Sequence, residues 1–336
     1  MQDFVNLINS YVWSYWLVGL CLGAGLMFSI LTRFLQVRHF RHMLHLLFSS
    51  KESEKGISSF QALAVSLSGR VGTGNIAGVA AAIGFGGPGA VFWMWVVAFF
   101  GAATAYVEAA LGQIYKEEDD GQYRGGPACD IEKAMGQKWY AWIFAVTTIF
   151  ATGLLLPTVQ ANAISTSAEI AFGANGSLET FLGTISYTKL SAAVLVVAIF
   201  GFIIFGGVKR IAHVTQVVVP FMALGYIITA VGIVLMNVGE LPRVVGLILN
   251  DAFTPMAGVG AAIGWGVKRG VYSNEAGQGT GPHAASAAEV QHPAQQGLVQ
   301  AFSVYVDTLF VCSATAFMIL ITGAYNVHGG DGGFIV

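Results

Sequence analysis

Charge is so sparse along this chain that long stretches carry none, and this limits its fold more than any motif does. Lys, Arg, Asp and Glu make up 10% of its 336 residues, apolar residues make up 55%, and mean hydropathy is +0.67. A soluble domain carries about 25% charge, so this chain cannot coat itself against water. Length alone would suggest about two or three soluble domains, but composition overrules that reading and turns the exterior towards lipid. The 43 glycines agree, because glycine is commoner in membrane helices than in soluble ones. A soluble enzyme, a disordered chain and a basic nucleic-acid binder are all poorly supported, and the net charge of −2 adds little. Cys21, Cys129 and Cys312 lie far apart without paired spacing, so they read as small apolar residues in helices rather than a zinc site or disulfide framework. The first apolar run has no basic residue before it and is too long for a signal core, so no cleavable signal peptide is expected.

Helices are the open-ended structures that satisfy their own backbone in lipid, and each needs roughly 20 apolar residues. The runs that supply them are Phe4–Thr32, Ile57–Phe85, Pro88–Tyr115, Trp139–Ala168, Leu190–Val208, Ile211–Gly239, Ala252–Tyr272 and Gln295–Thr322, eight predicted spans of an all-α polytopic membrane protein. With the N-terminus outside, the inner segments hold Arg33, Arg38, Arg41, Lys51, Lys55, Lys116, Arg124, Lys133, Lys138, Lys209, Arg210, Lys268 and Arg269. The outer segments hold Lys189 and Arg243, and Arg70 lies within a span, a split of 13 to 2 that follows the positive-inside rule. Arg38–His45, with Phe40, Met43 and Leu44, reads as an amphipathic connector on the inner headgroups. His39, His42 and His45 recur every three residues, but no carboxylate or cysteine joins them, which disfavours a metal site.

A simple anchor has no use for glycines at mid-span, yet the second span carries Ser68, Gly69, Arg70, Val71, Gly72, Thr73, Gly74 and Asn75 there. Each glycine weakens a helix by about 1 kcal/mol relative to alanine. Backbone that leaves the helix at that depth is tolerated where it lines a cavity or is buried in protein. Its freed carbonyls suit a cation, and the N–H groups of the next half-helix suit an anion. A zwitterionic amino acid with a sodium ion would match both. Close packing through Gly74 and Gly78 is the plainer alternative, but it leaves Arg70 and Asn75 unexplained. The seventh span repeats the feature at Thr254–Gly260, five helices later and running the opposite way, as an inverted five-helix repeat requires. Pro157 frees a carbonyl in the fourth span, beside Gln160 and Asn162, and Gln160 either meets a substrate or satisfies the kink. Asp307, in the middle of the eighth span, is expected to pair with Arg70, and Glu108 to make a structural pairing with an inner basic residue.

Three stretches together resemble the alanine or glycine:sodium symporter family: GGPGAVFWMWVVAFFG (Gly86–Gly101), SGRVGTGNIAGVA (Ser68–Ala80) and GVKRGVYSNEAGQGTGPHAA (Gly266–Ala285), the last followed by HPAQQGLVQAF and DTLFVCSATA. The likeness runs from about residue 10 to about residue 325. It implies sodium-coupled uptake of small neutral amino acids, alanine or glycine, by a plasma-membrane symporter with Na+ as coupling ion. The implied fold is a peripheral first helix and two inverted five-helix repeats. On this chain that places the first helix and its connector in residues 1–57, the first repeat in 58–239 and a two-helix part of the second in 252–336. The resemblance assigns the carbonyls of Ser68 and Val71 to sodium and Thr73, Gly74 and Asn75 to the substrate carboxylate. Gly258 and Val259 form the opposite wall, with Gln160 beside them. Ser273–Gly277 is given a gating or structural role rather than substrate contact. The family has three further helices, so the second repeat reads as C-terminally truncated and the chain alone is expected to transport poorly. The rivals are an ion channel, which needs no saturable amino-acid site, a non-transporting membrane fragment, and a membrane enzyme. The enzyme is disfavoured because neither HExxH nor GxSxG is present.

Overall fold

A computed structural model of the chain describes residues 7–8, 10–48, 55–180, 183–254, 258–323 and 325. In chain order the helices are α1 Tyr15–Leu31, α2 Leu35–Arg38, α3 Phe40–Phe48, α4 Ser59–Arg70, α5 Val79–Gly86, α6 Ala90–Ile114, α7 Pro127–Met135, α8 Lys138–Phe150, α9 Leu156–Phe172, α10 Tyr187–Ile204, α11 Gly207–Met236, α12 Leu241–Ala252, α13 Gly258–Asn274, α14 Gly281–Ser286, α15 Pro293–Val304 and α16 Ser313–Thr322. Turns of π-helix join α8 to α9 and α15 to α16, and one opens α5. The chain is an all-α polytopic membrane protein, and among the described residues six helices are long and apolar enough to span a bilayer: Ser10–Leu31, Ala90–Ile114, Lys138–Phe172, Tyr187–Ile204, Gly207–Met236 and Pro293–Thr322.

The other two predicted spans take a different form. Ile57–Phe85 is divided, because α4 stops at Arg70 and Val71 turns extended with ψ 101°. Of the seventh, α13 covers 17 described residues and runs on to Asn274. Before it lies α12, which the sequence reading did not assign, held down by Val244, Ile248 and Ala252 at four-residue spacing. Two antiparallel hairpins also interrupt the helices, β1 Glu117–Asp119 with β2 Gln122–Arg124, and β3 Ser177–Thr180 with β4 Gly183–Ser186. The first turns through Asp120 and Gly121, both at positive φ, which is the chemistry of a two-residue hairpin loop.

Helix α6 is the pillar against which α1, α13 and α15 pack. Lipid tails are as apolar as leucine, so helices associate in a membrane through close van der Waals contact at small residues. Accordingly Ala98, Ala102, Ala105 and Ala109 of α6 are fully buried. The partners answer with glycine: a Cβ on Gly25 would sit 2.8 Å from the Phe100 side chain, and one on Gly297 would press on Tyr106. Outward faces are as apolar as the core, with Trp16 88%, Ile170 82% and Phe205 93% exposed, as lipid contact requires. Helix α4 starts with a capping box, in which the Ser58 hydroxyl accepts from Gln61 N at 3.2 Å and Gln61 Oε1 accepts from Ser58 N at 2.9 Å. That fixes the entry of the helix whose far end builds the site.

Candidate functional site

After Arg70 the chain runs through extended Val71 and Gly72, re-enters helical geometry at Thr73, and makes the π-turn Gly74–Gly78 before α5. The freed backbone is satisfied locally. Gly72 N donates to Asn75 Oδ1 at 2.8 Å, Asn75 N to Gly72 O at 3.2 Å, and Thr73 N to Gln160 Oε1 at 3.2 Å. Gln160 reaches the break from α9 because Pro157 at the start of that helix follows a π-turn, Ala151–Leu155, which absorbs the lost hydrogen bond.

A second interruption faces the first, at 275–280, between α13 and α14. Glu275, Gly277 and Gly279 take φ of 54°, 85° and 81°, a left-handed geometry that glycine adopts freely and glutamate does not. Glu108 of α6 holds this loop, its two carboxylate oxygens accepting from Gly277 N and Gly279 N, each at 3.2 Å. This corrects the expected pairing of Glu108 with a basic residue. The two breaks touch: a Cβ on Gly74 would lie 3.4 Å from Ser273 Cα, and Asn75 Nδ2 donates to Ser273 Oγ at 3.1 Å. The interruption predicted at Thr254–Gly260 includes residues 255–257, which lie outside those described. Gly258 and Val259 open α13. Tyr272, fourteen residues on, lines the cavity, so at 1.5 Å per residue they stand about 20 Å along the axis from it.

A cavity of about 850 Å³ opens beside the paired breaks, walled by α4, α9, α10 and the α13–α14 loop. Ser68, Arg70, Val71, Gly74, Gln160 and Glu275 line it. Asn75 instead turns away, 1% exposed, into a buried polar cluster. There Asp307, fully buried, accepts from Asn75 Nδ2 at 2.7 Å and Ser273 Oγ at 3.1 Å on Oδ1, and from Thr308 Oγ1 at 2.7 Å on Oδ2. Thr315 Oγ1 donates to Asn75 O at 2.6 Å and also meets Tyr226 Oη at 2.6 Å. The hydroxyl of Thr73 is buried without a partner.

The expected Arg70–Asp307 ion pair does not form: among the described residues no nitrogen of Arg70 lies within 4.0 Å of a carboxylate oxygen. Arg70 donates to Ser303 instead, one helical turn before Asp307. Ser273 and Glu275, for which a gating or structural role was expected, stand beside the first break, Ser273 against Asn75 and Glu275 on the cavity wall. The signal that finds them is Gly277-x-Gly279-x-Gly281-Pro282, a helix-stop pattern stronger than the glycines of 254–260.

Known proteins resemble this chain in sequence. Residues 1–335 match the family described as "Sodium:alanine symporter family". The chain is 58% identical over 340 residues to the "Putative sodium/proton-dependent alanine carrier protein YrbD" of Bacillus subtilis (strain 168), covering 100% of this chain and 68% of that one. It is 42% identical to the "Probable sodium/glutamine symporter GlnT" of the same organism, covering 99% and 68%. It is 41% identical to the "Sodium/alanine symporter AgcS" of Methanococcus maripaludis, covering 96% and 71%. This chain therefore spans about two thirds of the length of these relatives, and it belongs to the sodium:alanine symporter family of secondary transporters.

Proposed function

We propose that the chain carries out sodium-coupled symport of a small neutral amino acid, alanine or glycine, by alternating access across the plasma membrane, with its N-terminus outside. The observation that carries this reading is the meeting of two interrupted helices beside one cavity, with Gly74 packed against Ser273. Paired interruptions of this kind serve transporters as sites for ions and polar cargo at mid-membrane. The halves α4–α5 and α13–α14 each have a helix–break–helix form, which supports an inverted repeat. The carbonyls of Ser68 and Val71 are the sodium ligands in this reading, and both residues line the cavity. Gly74 and Gln160 wall the amino-acid seat, Thr73 adds its unpartnered hydroxyl, and Asn75 braces the break from behind. Gly258 and Val259 stand outside the proposed seat. The relatives' names, which mention sodium with alanine, support the choice of ion and cargo.

One sodium entering down 100 mV releases about 2.3 kcal/mol, and a tenfold gradient adds about 1.4 kcal/mol. Together they sustain an amino-acid gradient on the order of several hundred-fold. Loss of one methylene changes binding by about 1–3 kcal/mol, so alanine and glycine should share the seat. The test is uptake of labelled alanine into vesicles holding this chain, or a version extended with the C-terminal third of a relative. An inward sodium gradient should produce saturable uptake that choline cannot replace. Uptake indifferent to sodium in the extended form would refute the proposal.

A further inference from the structure

The turn Gly86-Gly87-Pro88-Gly89, conspicuous in the sequence, stands apart from the residues that line the cavity. It receives the end of α12 instead. Gly89 N, at the start of α6, donates to Asp251 Oδ2 at 2.7 Å, and Trp93 Nε1, one turn on, donates to Ala252 O at 3.2 Å. The fit leaves no room for side chains on the turn. A Cβ on Gly87, at φ 78°, would lie 2.5 Å from that same carboxylate oxygen, and one on Gly89 would run into the Ala252 backbone. Phe253 completes the joint edge-on against Phe92, 4.9 Å between ring centroids. A carboxylate that accepts from a helix N-terminus makes a charge-assisted bond in the direction the helix dipole favours.

From Gly74 the cavity lining runs back along α4 through Arg70 to Ser66, and to His283 and Ala284 of α14. The chamber thus extends from the break towards the end of the bundle that the basic residues predict to be inside. Past the break, towards the other end, the space is filled. Val244 and Ile248 of α12, both fully buried, pack in one apolar cluster with Ile83 of α5, Val91 of α6 and Leu320 of α16. Helix α12 therefore covers the outer ends of these helices, tied at one end by Asp251 to Gly89 and towards the other by Arg243, whose Nη2 donates to Leu320 O at 3.3 Å. Its buried residues are Val244, Ile248 and Ala252, three of twelve, so little apolar area holds it and its polar ties weigh heavily.

We propose that α12 is the outer lid of the transport path and that Asp251 is the latch that holds it shut on the glycine turn before α6. The inference rests on the reading of the chain as a carrier and adds to it which element closes the outer side and which side chain secures it. Asp251 is a positioning residue, acting through α12 and not on the cargo. When the lid lifts, water can take the place of Asp251 on the Gly89 amide, so the tie opens without leaving a donor stranded. The glycines at 87 and 89 form a seat cut for this joint, and a side chain at either would hold the lid away.

The test reads accessibility in the full chain in detergent, with Cys21, Cys129 and Cys312 replaced. Val91→Cys reports the space under α12, and Val299→Cys, in the core beside α3, reports general loosening; both positions are buried. Asp251→Ala should speed the reaction of Val91→Cys with a small methanethiosulfonate about tenfold, the worth of one hydrogen bond to a charged group, and leave Val299→Cys unchanged. Asp251→Asn keeps an oxygen for Gly89 N and should fall between, while Gly87→Ala should act as Asp251→Ala does. A merely structural role would speed both cysteines together and lower the melting temperature, and that result would overturn the latch. So would unchanged labelling of Val91→Cys in Asp251→Ala. Uptake of labelled alanine by the extended version separates the two readings: sodium-driven uptake with unchanged labelling removes the latch alone, whereas uptake indifferent to sodium in the unsubstituted protein removes the carrier reading and the lid with it.

Discussion

Asp307 lies fully buried between helices, and its oxygens are held by three neutral donors from Asn75, Ser273 and Thr308. A charge in such a place is tolerated through hydrogen bonds more than through an opposite charge. Asn75 is shared between this cluster and the first break, where its Oδ1 takes the Gly72 amide. Damage at Asp307 therefore travels to the cavity. We expect Asp307→Ala to strand these donors at a cost of about 1–3 kcal/mol each. Asp307→Asn, which keeps one oxygen, should cost less. Thermal unfolding in detergent checks the order, and an alanine variant as stable as the asparagine variant would contradict it.

Among the elements, α7 is a short helix outside the spans whose first turn carries Asp130. Burial pushes the Asp130 carboxyl up to about 6 from its ordinary 3.8, and Lys133, three residues on, pulls it partly back. Its Oδ1 is buried without a partner, consistent with a group that resists charging. A carboxyl with a raised folded-state pKa favours the fold while protonated. Its contribution is therefore complete below pH 4 and lost as pH climbs through about 6. Asp130→Asn should flatten this dependence, so that the difference in melting temperature between pH 4.5 and pH 7 shrinks relative to the unsubstituted chain. A variant with the same difference would exclude Asp130 as its source. The spans themselves were legible because charge-free runs of sufficient length declare a helix in lipid whatever their packing. The site was half legible. Ser68–Asn75 stood out because a charge and an amide accompany its glycines, whereas the break at 275–280 was not singled out beside the one expected at Thr254–Gly260, part of which lies outside the described residues. Glycine within a helix costs only about 1 kcal/mol, so many glycines here serve contact instead: a Cβ on Gly270 would strike Val97, and Gly266 abuts Ala90 and Trp93. Sequence does not separate the packing glycine from the breaking one unless left-handed turns and a following proline cluster, as at 277–282. Nor does it reveal that Ser303 intercepts Arg70 one turn before Asp307.

For the whole molecule, the asymmetry of basic residues predicts an orientation that labelling can read. In a chain whose three native cysteines are replaced, Glu118→Cys in the first hairpin should react with a membrane-impermeant maleimide only from the inner face. Glu179→Cys in the second hairpin should react only from the outer face. Both positions are exposed, so accessibility will report sidedness and not burial; labelling of both from one side would invert or scramble the topology. The break in α4–α5 also has a consequence for how quickly such a molecule works. Asn75 and Gln160 are bonded to its loosened amides, so the bend is braced by the chain's own side chains. On the proposed function, arriving cargo would have little backbone left to order, so affinity would not be eroded by that entropy. Its departure would not wait for the bend to refold.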